Sequence, residues 1–410
     1  MTAPTEPPRS PGKEKEPPKS DPGPVVEERP VIETAPETVP KARRGFWQTI
    51  EDQLAITPLV KEYLTPVEVN NFWYSLGGVL GISLFLEALT GVILALWYRP
   101  DAAVAYSITR DMLQAPVWSV IINFHYWNSF LIFGLVMVHM MRVFISGGYR
   151  RGKQGLWLVG VVLASLTFVV FMTGESLHWD EVGFAVPWHI GEFVEAIGLS
   201  DALNYAPQVL LNIPTATEKL NQIYTVHISI VPVLLIFFIV MHYFLVKVKG
   251  ISLPFWMRES GRTAPFSRHI REWVIFGALA IGVVILFAIF LPREPGTAPQ
   301  LLPSSPLFGS KDGPGDLGYK PTGPIGWTHG MNIFVASFGM EPDIWGTVIG
   351  MLVMLGALLI IPFVDPGPHE PETSKAAFNW RKRGWAFLAM AIFWIVLIGG
   401  VISNIVAAPG

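Results

Sequence analysis

Seven long apolar runs follow one another along this chain, at about residues 73–97, 118–145, 156–174, 223–246, 272–291, 344–364 and 384–405. At a rise of about 1.5 Å per residue, each is long enough to cross roughly 30 Å of hydrocarbon as a helix. The pattern predicts an all-α integral membrane protein of seven spans. Residues 1–45 read differently. Eleven of the 35 prolines fall before Lys41, among Glu, Lys, Ser and Thr, and the first aromatic residue is Phe46. Such a segment buries too little apolar area to offset its ordering entropy, so a disordered tail is expected. It lacks the apolar core of a secretory signal, which places the N-terminus in the cytoplasm. An amphipathic stretch from about Gly45 to Leu64 leads into the first span.

The loops orient the spans. Arg150, Arg151 and Lys153 follow the second run; Lys247, Lys249, Arg258, Arg262, Arg268 and Arg271 follow the fourth; Arg381, Lys382 and Arg383 precede the seventh. A cytoplasmic N-terminus puts all three basic loops on the cytoplasmic side, as the positive-inside rule requires. Two loops on the opposite side are long. Glu175–Gln222 contains Asp180, Glu181 and an apolar segment around Phe193–Leu199, expected to lie as an amphipathic helix at the interface. Pro292–Pro342 is rich in Pro and Gly, a length that marks either function or disorder.

Composition agrees with the pattern: 51% of residues are hydrophobic and 15% charged, far fewer charges than the roughly 25% of a soluble domain. The chain has no cysteine, which excludes disulfides, thiolate metal sites, cysteine-bound clusters and thioether-attached haem. A net charge of −3 carries no footprint for nucleic acid.

Candidate chemistry lies in the histidines. His125 and His139 sit in the second run, 14 residues apart, and His227 and His242 in the fourth, 15 apart. Four helical turns take about 14.4 residues, so each pair shares a helix face, about 21–22 Å apart along the axis. The two helices run in the same direction, so His125 faces His227 at the outer level and His139 faces His242 at the inner level. Two facing imidazoles fill both axial positions of a haem iron, and two such pairs make a wire across the membrane. The alternative is four buried histidines bonded to backbone or lining a proton path. Glycines favour the haems. Gly77 and Gly91 in the first run, and Gly160 and Gly174 in the third, are also 14 apart. A macrocycle wedged between helices needs close backbone approach, although small residues also help membrane helices pack.

These residues resemble cytochrome b, of the type in which a four-helix cytochrome b6 is followed by a three-helix subunit IV. The resemblance is carried by Asn71–Trp97, by His125–Gly148 with its His139-Met-Met-Arg142, and by Thr173-Gly174-Glu175-Ser176-Leu177-His178-Trp179-Asp180. Tyr224-Thr225-Val226-His227 through Pro232 to Met241-His242 completes it. It implies a tail over 1–45, a four-helix dihaem domain over 46–250 and a subunit IV-like domain over 251–410. It also implies two b haems, a quinone site near each membrane face and a homodimer. The partners it implies are a Rieske iron–sulfur protein and a c-type cytochrome, in a bacterial cytoplasmic membrane. Arg142 and Lys247 match basic residues that contact haem propionates or quinone.

The chain also departs from that pattern. Ser75 stands where the b6 type carries a cysteine for an extra covalent haem, so no covalently attached haem is expected. Ile122, Tyr126 and Gln222 replace basic residues around the outer histidines, and Glu87 replaces a usual Gln. The Pro-Glu-Trp-Tyr motif of the quinol-oxidation site is missing; the stretch reads Pro324-Ile325-Gly326-Trp327-Thr328-His329-Gly330. Substitute proton acceptors are Glu175, His178 and His329.

Three functions compete. The first is the cytochrome b subunit of a quinol:cytochrome c oxidoreductase. The second is a dihaem conduit linking a periplasmic redox partner to the quinone pool, without quinol oxidation at the outer face. The third is a haem-free transporter with proton-relay histidines.

Overall fold

The computed structural model describes residues 64–254, 260–294, 296, 326–340, 342–367 and 380–406. Contacts divide the chain into two units, Met1–Lys61 and Glu62–Gly410, and all described residues belong to the second. The expected tail and amphipathic lead-in, and the stretch from Pro324 to Ile325, lie outside them.

All seven spans are helices long and apolar enough to cross a membrane. In chain order the helices are α1 (Phe72–Ala95), α2 (Ala105–Gln114), α3 (Pro116–Ile145), α4 (Gln154–Ser176), α5 (Glu181–Ala196), α6 (Ile213–Lys249) and α7 (Phe266–Phe290). They are followed by α8 (Gly326–Ala336), α9 (Trp345–Val364) and α10 (Trp380–Val406). The fold is all-α and integral to the membrane. Large apolar side chains stay uncovered along the spans, among them Phe85, Phe237, Leu279 and Ile395, each at least 60% exposed. That is the surface a lipid-facing helix presents, where water would penalise it.

Three differences from the hydropathy pattern have local causes. The fourth span begins at Ile213, ten residues before its apolar run, because Pro214 occupies the first turn and the polar residues after it continue an amphipathic helix. The helix expected around Phe193–Leu199 runs instead over Glu181–Ala196, started by Asp180, whose Oδ1 accepts from Gly183 N at 2.9 Å. Within the long Pro- and Gly-rich loop, Gly326–Ala336 is helical and fastened to α10, with Trp327 Nε1 donating to Val396 O at 2.9 Å.

The first four spans and the last three are interlocked. α7 packs on α1 and α3, and α9 packs on α4 and α10. Leu64–Pro66 pairs antiparallel with Thr263–Pro265, tying the start of α1 to the start of α7. A buried ion network joins the loop after α3 to the loop after α9. Asp365 Oδ2 accepts from Tyr149 Oη at 2.6 Å and Arg383 Nε at 2.8 Å, and its Oδ1 pairs with Arg150 Nε at 3.0 Å. Removing one member of such a buried pair typically costs about 3–5 kcal/mol, because the charge left behind is uncompensated.

Candidate dihaem site

α1, α3, α4 and α6 bring the four histidines and four glycines together at two levels. A Cβ added at Gly91 would stand 3.2 Å from His125 Cε1, and one at Gly174 would stand 2.7 Å from His227 Cε1. At the other level the distances are 3.5 Å from Gly77 to His139 and 3.7 Å from Gly160 to His242. Each glycine is thus the floor under one imidazole, a second reason for it besides room for a macrocycle. The His125 and His227 ring centroids are 6.3 Å apart. Two imidazoles bound to one metal from opposite sides need roughly 6 Å, that is, two bonds of about 2 Å and two ring radii of about 1 Å.

The spacing of 15 on α6 has a structural cause. Val226–Ile230 forms a π-helical turn that contains His227, closed by Val231 N on Val226 O. Pro232 follows; it has no N–H to donate, and its ring crowds the carbonyl four residues back. A π turn takes roughly 4.4 residues, so three α turns and one π turn use about 15.2 and return His242 to the face of His227. On α3, with plain α turns, the same return takes 14 residues.

At the outer level the ring tautomers are fixed. Thr90 donates its hydroxyl hydrogen to Leu86 O at 2.9 Å, so its oxygen accepts from His125 Nδ1 at 3.0 Å. Thr173 donates to Val169 O at 2.9 Å and accepts from His227 Nδ1 at 3.1 Å, while Val170 O also accepts from that nitrogen at 3.0 Å. With Nδ1 protonated, Nε2 of both rings offers its lone pair, as a metal ligand must. Glu87 Oε1 lies 3.3 Å from His125 Nε2, and Asn128 Nδ2 donates to the other Glu87 oxygen at 2.7 Å. At the inner level Nδ1 of His139 and of His242 has no hydrogen-bond partner among the described residues. There the guanidinium carbon of Arg142 lies over the Tyr74 ring, 3.7 Å from its centroid, and Lys247 occupies the last turn of α6. Ser75 is fully buried and returns its hydroxyl to Asn71 O at 2.9 Å.

At the outer end a polar cluster stands beside the histidines. Arg293, just past α7, donates through Nη1 to His178 Nδ1 at 2.6 Å and through Nη2 to Asp180 Oδ2 at 2.9 Å. The same Nη2 lies 3.3 Å from Glu175 Oε1, and Glu175 Oε2 is 3.9 Å from His178 Nδ1. Asn123 Oδ1 accepts from the Arg293 backbone N–H at 2.6 Å, which anchors the loop to α3. Burial, and then the Arg293 charge, hold the His178 imidazole well below the ordinary histidine range. Phe171 of α4 and Val186 of α5 form an apolar cluster with Phe130, Met172 and Ile190. His329 lies in the first turn of α8, and its side chain is outside the described residues. The structure therefore brings Glu175 and His178 together, and adds two residues that sequence reasoning missed, Asp180 and Arg293. It also adds Thr90 and Thr173, whose only signal was that a threonine precedes each outer glycine.

Residues 60–250 match the family model described as cytochrome b/b6/petB. The chain is 27% identical over 215 residues to cytochrome b6 of Porphyra purpurea, covering 51% of this chain and 96% of that one. It is 28% identical over 210 residues to cytochrome b6 of Gracilaria tenuistipitata var. liui, with the same coverage of 51% and 96%. Among solved structures, a chain of a hyperthermophilic respiratory Complex III aligns with a TM-score of 0.60 and 17% identity, covering 87% of this chain and 98% of that chain. That likeness extends the shared fold beyond the matched residues into the last three spans.

Proposed function

Residues 60–250 belong to the cytochrome b/b6 family, and from that premise we propose that the chain is the membrane cytochrome b subunit of a quinol:cytochrome c oxidoreductase. The observation that carries the reading is the set of four imidazoles, each on its own glycine, at two levels of one helix bundle. His125 and His227 would hold one haem iron through Nε2, and His139 and His242 a second. When bound, the two b haems supply one-electron carriers at two depths of the membrane. Arg142 and Lys247 stand at the inner end, ready for haem carboxylates or a quinone. Residues 46–250 are the dihaem domain and 251–410 the subunit IV-like domain. The chain works as a homodimer in a bacterial cytoplasmic membrane, N-terminus in the cytoplasm, with a Rieske protein and a c-type cytochrome as acceptors.

Quinol gives up electrons only as it sheds protons, so the outer face needs a base. Among Glu175, His178 and His329, the first fits best. His178 already accepts the Arg293 N–H at the nitrogen a second proton would need, and its imidazole is held well below the ordinary range. The cluster sets two carboxylates, Glu175 and Asp180, against one guanidinium, which leaves one carboxylate as the place for a proton.

One observation favours the second reading. The outer polar corner is already closed by the chain's own ion pairs to Arg293, and on that reading the chain conducts electrons without oxidising quinol there. A reduced-minus-oxidised spectrum tests both against a haem-free transporter: a b-type α-band is expected, and its absence refutes both. The two are then separated in the assembled complex. Quinol-driven haem reduction should disappear in the Glu175→Gln, His178→Asn, His329→Asn triple variant while both haems stay bound. If the wild-type complex shows no such reduction, the conduit is the function.

A further inference from the structure

The contact with Arg293 fixes which nitrogen of His178 carries the proton. A guanidinium has only donors, so His178 Nδ1, 2.6 Å from Nη1, must be an acceptor. The Glu175 carbonyl lies 3.3 Å from the same nitrogen, but it already accepts the His178 backbone N–H. Burial and the Arg293 charge keep the ring neutral. Its one proton is therefore on Nε2. That N–H has no partner among the described residues, and it is open to contact, the side chain keeping 14% of its surface.

Arg293 is itself held in place. Its backbone N–H is bonded to Asn123, and on either side Trp127 Nε1 donates to Leu291 O and Tyr106 Oη to Gly296 O, both at 2.8 Å. The guanidinium then bridges His178 and Asp180 with two different nitrogens. The two carboxylates are not equivalent. Asp180 is tied at both oxygens, to Arg293 and to Gly183 N, each at 2.9 Å. Glu175 is the looser partner: Oε1 meets Arg293 at 3.3 Å, and Oε2 takes no hydrogen bond among the described residues. Oε2 lies 3.9 Å from His178 Nδ1, so an acceptor and a fixed donor stand side by side. The corner adjoins the outer histidine pair, because Tyr126, next to His125, meets the His178 ring at a centroid distance of 6.2 Å.

Building on the reading that quinol is oxidised at this face, we propose that the His178 Nε2–H bonds the quinol oxygen whose proton Glu175 takes, and that Arg293 is the positioning residue that holds this tautomer. When the quinol O–H breaks, its proton joins a Glu175 oxygen and its electron pair stays on the quinol oxygen. A fixed donor favours that charged oxygen over the neutral hydroxyl, so the bond strengthens as the proton leaves. His178 is then the partner of the base and not the base.

The test uses the assembled complex with duroquinol as the electron donor. His178→Leu removes the N–H and should lower kcat for haem reduction at least about tenfold, as for a bond to a charged oxygen, with KM changed less. His178→Gln, whose amide can place an N–H where Nε2 stands, should recover most of the rate. A ring that only filled space would be replaced no better by Gln than by Leu. Arg293→Lys keeps the charge between Glu175 and Asp180 but offers one nitrogen in place of two, so its rate should fall between wild type and His178→Leu. Both haems should stay bound at unchanged potentials throughout. An unchanged kcat in His178→Leu, or equal rates in the Leu and Gln variants, overturns the proposal. If His178→Leu fails to assemble, Arg293→Lys decides, and an unchanged rate there overturns it. So does a shifted outer-haem potential, which would assign the N–H to that haem. A wild-type complex whose haems duroquinol does not reduce refutes the quinol-oxidation reading before any variant is made, and the proposal with it.

Discussion

The outer and inner histidine pairs are assembled from the same parts and finished differently. At the outer level Thr90 and Thr173 precede the glycines, hold both Nδ1 atoms, and leave the glycine floors at 3.2 and 2.7 Å. At the inner level Leu76 and Val159 take the threonine positions, Nδ1 meets no acceptor among the described residues, and the floors lie at 3.5 and 3.7 Å. An imidazole whose far nitrogen donates a hydrogen bond is a stronger base and cannot rotate freely. The contrast teaches that one bundle can hold two unequal imidazole pairs through a one-residue change beside each glycine, with the helix positions untouched.

The hardest break is removal of a ligand. His139→Ala should empty the inner site and leave the outer haem, and His227→Ala should do the opposite; the pyridine haemochrome ratio of haem to protein should halve in each. Both haems surviving either change would undo the pairing. A glycine exchange tests the floors. Gly174→Ala puts a methyl where His227 Cε1 stands at 2.7 Å and should strip most of the outer haem, whereas Gly160→Ala, at 3.7 Å, should keep full occupancy.

Smaller effects come from the threonines. Thr90→Val with Thr173→Val should weaken outer haem binding roughly tenfold, the low end for losing a partner of a metal-bound histidine. Competition with an apo-haem acceptor would measure it. The smallest expected effect runs the other way: Val159→Thr offers His242 Nδ1 the acceptor it lacks among the described residues. It should lower the inner haem's potential by less than about 59 mV, less than a tenfold one-electron shift. An unchanged potential would mean that the hydroxyl does not reach the ring, and a rise would overturn the argument from basicity.

Much of this was legible in the chain. Hydropathy runs read the spans because every backbone group in a membrane must find its partner inside the protein, and a long apolar helix does so within one continuous segment. The histidine and glycine spacings read the two levels because a helix repeats its face. What escaped was set by tertiary contact. Arg293 sits in a Pro-Arg-Glu-Pro-Gly stretch, 115 residues from His178, where a lone basic residue reads as solvated. A helix was expected here around Phe193–Leu199, but the true start of α5 escaped because its cap, Asp180, lies inside a run that looked like loop. The 15-residue spacing on α6 could be read from sequence, but its cause, a π turn ahead of Pro232, could not be read from residue counts.

The seam between the first four spans and the last three has a consequence for how this polypeptide can be made. The Leu64–Pro66 ribbon, the contacts of α7 with α1 and α3, and the Asp365 network all cross it without using the covalent link after Lys249. The peptide chain there is one fastener among several. Two separately translated pieces, meeting in the bilayer, carry every one of the others, so gene fission at that point would be a change of bookkeeping for the ribosome and not for the fold.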